Sequence, residues 1–200
     1  MMGRVIFGGV IGGIVAFAWT CVAWNWLPWQ DKVIGEPENR DLVSWIVREN
    51  VKGDGVYLIP RENVARNELY SYLRYRNVRE PVVVHEGETA HRQPLIYLQV
   101  RHKGVDVRSP YPYLLSFLTQ FVGAFLISLL LVRVALQSGY GKRLFFVTAT
   151  GLIVGILGYA PNWIWFGGDG RFLLMSVVNS VVMWFLAGLF IAGIARPKTG

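Results

Sequence analysis

The sequence predicts a membrane all-α bundle of four transmembrane helices, with a small α+β extracytoplasmic domain inserted between helices 1 and 2. Three observations lead there. Four apolar stretches, Val5 to Leu27, Tyr113 to Val132, Leu144 to Phe166 and Phe172 to Ala195, contain no Lys, Arg, Asp, Glu or His. Each has about 20 residues or more, enough to cross a hydrocarbon layer of ~30 Å at ~1.5 Å per helical residue. Hydrophobic residues make up 53% of the chain and charged residues 16%, below the ~25% charge of soluble domains. Nearly all the acidic residues fall in one block between the first and second stretches. The expected division is helix 1 in residues 1–29, the inserted domain in 30–111, and helices 2 to 4 in 112–200.

The net charge of +7 reflects orientation in a membrane. Between Gln30 and Pro112 there are thirteen Lys/Arg and twelve Asp/Glu, so that block is nearly neutral. Asp169 and Arg171 cancel. The remaining positive charges are Arg4, Arg133, Lys142, Arg143, Arg196 and Lys198, and all of them flank apolar stretches. Lys and Arg collect in short cytoplasmic loops, and with four spans these sites share one side. Both termini are therefore expected in the cytoplasm, in a bacterial inner membrane. No nucleic-acid partner is expected, because no basic patch remains unexplained. Trp24, Trp26 and Trp29, Tyr111 and Tyr113, and Trp163 and Trp165 lie at the opposite ends of the spans. There they form the interface belt that amphipathic rings favour, or a partner surface.

The first stretch reads as a retained anchor. It exceeds the ~7–15 apolar residues of a cleaved leader's core, and Trp19 and Thr20 disfavour the cleavage patterns near Ala16 to Cys21. Gly8, Gly12 and Ala16 are four residues apart, as are Gly9 and Gly13. Such ridges let helix backbones approach in lipid, where packing drives association. The third stretch repeats the spacing at Gly151 and Gly155. The fourth has Ser176 and Ser180, then Gly188 and Ala192. These faces either hold the chain's own helices together or dock helix 1 onto another subunit. Asn25, Gln120, Asn162 and Asn179, with Thr20, stand out among the polar residues of the spans. All fall in the outer leaflet, as interhelical hydrogen-bonding groups or as a transport site.

In the inserted domain, Glu36-Pro37-Glu38 and Asp41 read as a helix start, with Leu42, Trp45 and Ile46 as its apolar stripe. Gly53-Asp54-Gly55 reads as a turn and Val56 to Ile59 as a strand. A second helix is expected over Asn63 to Arg76, bearing Tyr70, Tyr72 and Tyr75. Strands are expected over Val82 to His85, Leu95 to Arg101 and Val105 to Arg108.

The chemistry suggested by the sequence is sparse. The single Cys21 excludes an intramolecular disulfide and a Cys-x-x-Cys pair. His85 and His91, with Glu86 and Glu88 between them, supply ligand types at a spacing that matches no compact zinc pattern. No metal and no cofactor is expected. Gly139-Tyr140-Gly141-Lys142-Arg143 lacks the spacing of a phosphate loop. No catalytic residue emerges, and the expected partners are the bilayer and other membrane-protein subunits, met through helix 1 or the inserted domain.

Three motifs carry a resemblance: Gly8-Gly9-x-x-Gly12-Gly13 running into Trp24-x-Trp26-Leu27-Pro28-Trp29, then Gly55-Val56-Tyr57-Leu58-Ile59-Pro60, then Pro161-Asn162-Trp163-Ile164-Trp165-Phe166-Gly167. With them the chain resembles a family of uncharacterised bacterial four-helix inner-membrane proteins. The resemblance implies that membrane and supplies no activity. The element order is also similar to permease-like proteins partnered by ATPases, whose outer domains are usually much larger. The function expected is a non-catalytic accessory or assembly subunit of a membrane complex. The alternative is a small transporter or lipid-handling protein using the outer-leaflet polar cluster.

Overall fold

The computed structural model describes residues 2–59, 95–106, 108–133 and 139–196. In chain order these form α1 (Met2–Asn25), α2 (Trp29–Val33), α3 (Arg40–Asn50), β1 (Gly55–Ile59), β2 (Ile96–Val100), α4 (Tyr111–Arg133), α5 (Tyr140–Phe166) and α6 (Gly170–Ile194). Four helices, α1, α4, α5 and α6, are long and apolar enough to cross a membrane. They are the architecture of a multi-pass membrane protein. The expected helix over Asn63 to Arg76, its tyrosines and the expected strand Val82 to His85 lie outside the described residues.

The chain divides into two compact units. The first comprises Met1–Glu36, Asp106–Ala160 and Asp169–Gly200, and the second comprises Pro37–Val105 and Pro161–Gly168.

In the first unit α1 lies between α4 and α6. A Cβ on Gly9 would meet Phe125 and one on Gly13 would meet Phe121. One turn further on, the Phe17 ring meets the Phe117 ring edge-on, at 5.9 Å between centroids. Each step of four along α1 is thus a step of four back along α4, an antiparallel register. The α6 side follows the same rule: Gly8 reaches Ala195 as well as the closer Ser128 of α4, Gly12 faces Ile191, and the Thr20 hydroxyl reaches the Met183 sulfur at 3.7 Å. The doubled glycines thus form two adjacent ridges: Gly9 and Gly13 seat α4, and Gly8 and Gly12 line the seam where α4 and α6 both reach α1. The core is apolar and small-residue rich, with Val5, Ala16, Ala124, Leu131, Val147, Ala187, Ile191 and Ala195 almost fully buried.

α5 packs along α6. The Ser180 hydroxyl donates to Gly151 O at 2.8 Å, and Gly155 lies against the Val177 backbone. The Trp184 indole covers Gly151 and extends to Gly123 of α4. Asp169 caps α6, its carboxylate accepting from Arg171 N at 2.7 Å, as short polar side chains do at helix starts.

The second unit holds an antiparallel pair, β1 and β2, with Gly55 opposite Val100 and Ile59 opposite Ile96. The pair is closed at one end by Asp54, whose carboxylate accepts from His102 N at 2.8 Å. Gly167, at φ +70°, ends α5 in the left-handed conformation that glycine permits, and Leu95 packs over it. Tyr97 and Phe166 stack at 4.8 Å. α3 is capped by Asn39, whose side chain accepts from Leu42 N at 2.9 Å. The expected strand at Val105 to Arg108 is replaced, among its described residues, by a turn. The Asp106 carboxylate accepts from Arg108 N at 2.9 Å, and its carbonyl from Ser109 N. A side chain that bonds its own backbone two residues on competes with strand pairing.

Candidate functional site

Polar groups in the spans gather where α1, α4 and α6 meet. The Trp19 indole Nε1 donates to Asn179 Oδ1 at 2.8 Å. Gln120 Nε2 donates to Thr20 Oγ1 at 3.3 Å, and that hydroxyl donates to Ala16 O at 2.9 Å. Two adjacent residues of α1 thus tie it to both neighbours. Such bonds are favoured where no water competes. Asn25 stands apart, its amide donating to Cys21 O of its own helix at 2.8 Å. Asn162 belongs to the second unit, where its backbone carbonyl accepts from Gly168 N at 3.3 Å. Of the four amides singled out from sequence, Gln120 and Asn179 are therefore bonded to α1, and they engage neighbouring residues of it.

The small-residue positions have these surroundings. Gly8, Gly9, Gly12, Gly13 and Ala16 are buried on α1, Gly151 and Gly155 on α5, and Gly188 and Ala192 on α6. Gly188 sits against Leu144 and Val147 of α5. Gly158, one turn beyond Gly155, has open space around it. An apolar groove of about 240 Å³ lies between α5 and α6, lined by Ile156, Ala160, Gly170, Leu173, Leu174 and Val177. It carries no polar side chain that would orient a ligand.

The aromatic residues split. Trp24, Trp26, Tyr111 and Tyr113, and in the second unit Trp163 and Trp165, are exposed. Trp29 turns inward on α2: its Nε1 donates to Ala23 O at 3.1 Å and its ring meets Trp19 edge-on. Beside it, Gln30 is buried, with neither amide atom hydrogen-bonded.

In the second unit α3 has no buried residue although it is strongly two-faced. Leu42, Trp45 and Ile46, at helical spacing, are all exposed, Trp45 by 59%. A stripe of this kind usually packs against something.

His85 and His91 lie outside the described residues. Among the described residues no three His, Cys, Asp or Glu side chains come together as a candidate metal site.

Several contributors were not singled out from sequence. The Phe117, Phe121 and Phe125 ladder was visible as a spacing of four. Trp184 and Trp19 carried no signal separating them from other apolar span residues, and α2 is too short for periodicity to reveal. Compared with known proteins, the chain matches no family model, no curated protein and no solved structure. The functional reading therefore rests on residues and geometry.

Proposed function

We propose that this chain is a non-catalytic accessory or assembly subunit of a bacterial inner-membrane protein complex. Both termini are cytoplasmic and the segment 30–111 is periplasmic. The observation that carries the reading is the exposed apolar stripe of α3. A two-faced helix gains its stability from covering that face, and among the described residues nothing covers Leu42, Trp45 and Ile46. The glycine ridges of α1, by contrast, are occupied by α4 and α6, which moves the contact expected of helix 1 to the inserted domain. The orientation rests on Arg4, Arg133, Lys142, Arg143 and Arg196 at span ends.

A photo-crosslinking residue at Trp45, followed by purification from native membranes in mild detergent, tests the proposal. The expected result is a discrete adduct with another membrane-protein subunit. Recovery of a lone monomer with no crosslinked partner overturns it.

A second reading, a small transporter or lipid-handling protein, draws on the Trp19–Asn179 and Thr20–Gln120 pairs. It requires that Gln120→Leu with Asn179→Leu abolish transport in vesicles while the protein still folds. Unchanged transport removes it.

A further inference from the structure

The chain leaves α1 through Trp26, Leu27 and Pro28, and α2 starts at Trp29. Proline has no N–H and disfavours helix in the residue before it, so α1 cannot run on through Pro28. α2 is barely more than one turn long, and Pro28 at its N-cap position gives it no side-chain cap. A helix that short is not stable by itself. Its position depends on what it touches.

Two contacts hold it down. The Trp29 indole Nε1 donates to Ala23 O, near the end of α1, at 3.1 Å, and the Trp29 ring meets the Trp19 ring edge-on at 6.2 Å between centroids. Trp19 in turn donates to Asn179 of α6, and α2 touches α6 as well. α2 is thus laid back over the place where α1 and α6 meet, with Asp31 and Lys32 exposed.

Gln30 works against that position. It is only 7% exposed, and neither its amide nitrogen nor its amide oxygen has a hydrogen-bond partner. A primary amide brings two donors and an acceptor. Burying them unpaired costs free energy that an apolar side chain of the same shape does not, and native folds rarely leave such groups stranded without a reason. One movement removes the cost. With α2 lifted, the amide reaches water and the Trp29 ring reaches the membrane interface, where indoles are favoured. The closed form therefore sets one hydrogen bond and one ring contact against a stranded amide, and these are effects of similar size.

We propose that α2 is a strap over the seam of α1 and α6, poised to open about Leu27 and Pro28. Opening frees Ala23 O and uncovers the Trp19 ring, which exposes the end of the seam that the Trp19–Asn179 bond closes. The movement is local. The glycine contacts of α1 with α4 and α6 lie further along the helix and stay made. Small elements with few buried contacts are the ones that open in this way. The inference does not rest on any partner subunit.

The test reads the exposure of Val33, which is half-buried and lies three residues after Gln30, on the same side of α2. Val33→Cys, in a Cys21→Ser background, is labelled with a water-soluble maleimide in the full chain purified in detergent. Gln30→Leu removes the stranded amide and keeps its bulk. It should slow labelling about fivefold, the low end of what relieving one unpaired buried group supplies. Trp29→Phe keeps a ring and loses the bond to Ala23 O, so it should speed labelling about fivefold. Lys32→Cys, at a position exposed in the closed form, should label at the same rate with and without either change. Gln30→Leu decides the matter alone if Trp29→Phe fails to fold. Labelling of Val33→Cys that is unchanged or faster with Gln30→Leu overturns the proposal, and so does equal slowing at Lys32→Cys.

Discussion

α1 and α5 are built from the same materials and used differently. Both are long apolar helices with glycines four residues apart. In α1 the glycines come in adjacent pairs that serve two neighbours: Gly9 and Gly13 face α4, Gly12 faces chiefly α6, and Gly8 lies between Ser128 of α4 and Ala195 at the end of α6. In α5 they are single, and one ridge, Gly151 and Gly155, serves α6. The buried share of the span follows: 33% for α1 and 17% for α5. Doubling a glycine repeat turns a helix that leans on one partner into a helix wedged between two.

The comparison can be broken with substitutions. The largest effect is expected at Gly13. A Cβ there would stand 2.8 Å from the Phe121 Cα, and backbone cannot swing aside as a side-chain end can. Gly13→Leu should cost about 3 kcal/mol, the upper end of ordinary overpacking, and separate α1 from α4. A denaturant titration in mixed micelles measures it. Gly151→Leu comes next. It too meets backbone, with Ser180 O 2.9 Å away, yet it loosens only α5 from α6. The loss should be about 1–2 kcal/mol, with protease sensitivity confined to α5 and its loops. Equal losses and equal protease patterns at the two sites would erase the distinction between the helices. The smallest effect is expected at Gly158, which has open space around it. Gly158→Ala should stay within about 1 kcal/mol of neutral, on the stabilising side, because alanine is the better helix former.

Much of this was legible in the chain. Four charge-free stretches identified the long helices, since only a long apolar run can cross lipid with its backbone satisfied internally. Small residues every fourth position marked which faces pack closely. What periodicity could not say was which helix each face would meet. That depends on complementary shape, here the aromatic ladder of Phe117, Phe121 and Phe125 seated on the Gly9, Gly13 and Phe17 face. The polar pairs were half legible. Gln120, Asn179 and Thr20 stood out as polar groups in apolar runs, but Trp19, the partner of Asn179, carried little warning. Asp106 shows the opposite failure: a strand was expected over Val105 to Arg108, and among its described residues a local side-chain bond makes a turn. The arginines flanking the spans were readable as orientation signals. That Arg4 donates to Arg196 O just beyond α6, and Arg143 to Ala192 O in its last turn, needed the three-dimensional arrangement, because Arg4 and Arg143 lie far apart in the chain.

The central claim is that the faces of α1 are taken up within one chain. A Cβ added to Gly8 of α1 would lie 3.6 Å from the Cβ of Ala195 at the end of α6. Replacing both with cysteine, in a Cys21→Ser background, puts two Cβ atoms at disulfide spacing. Oxidation in native membranes should give an intrachain disulfide, seen as a monomer of altered mobility that reverts on reduction. A covalent dimer in place of that monomer would show α1 packing on another copy and would contradict the account.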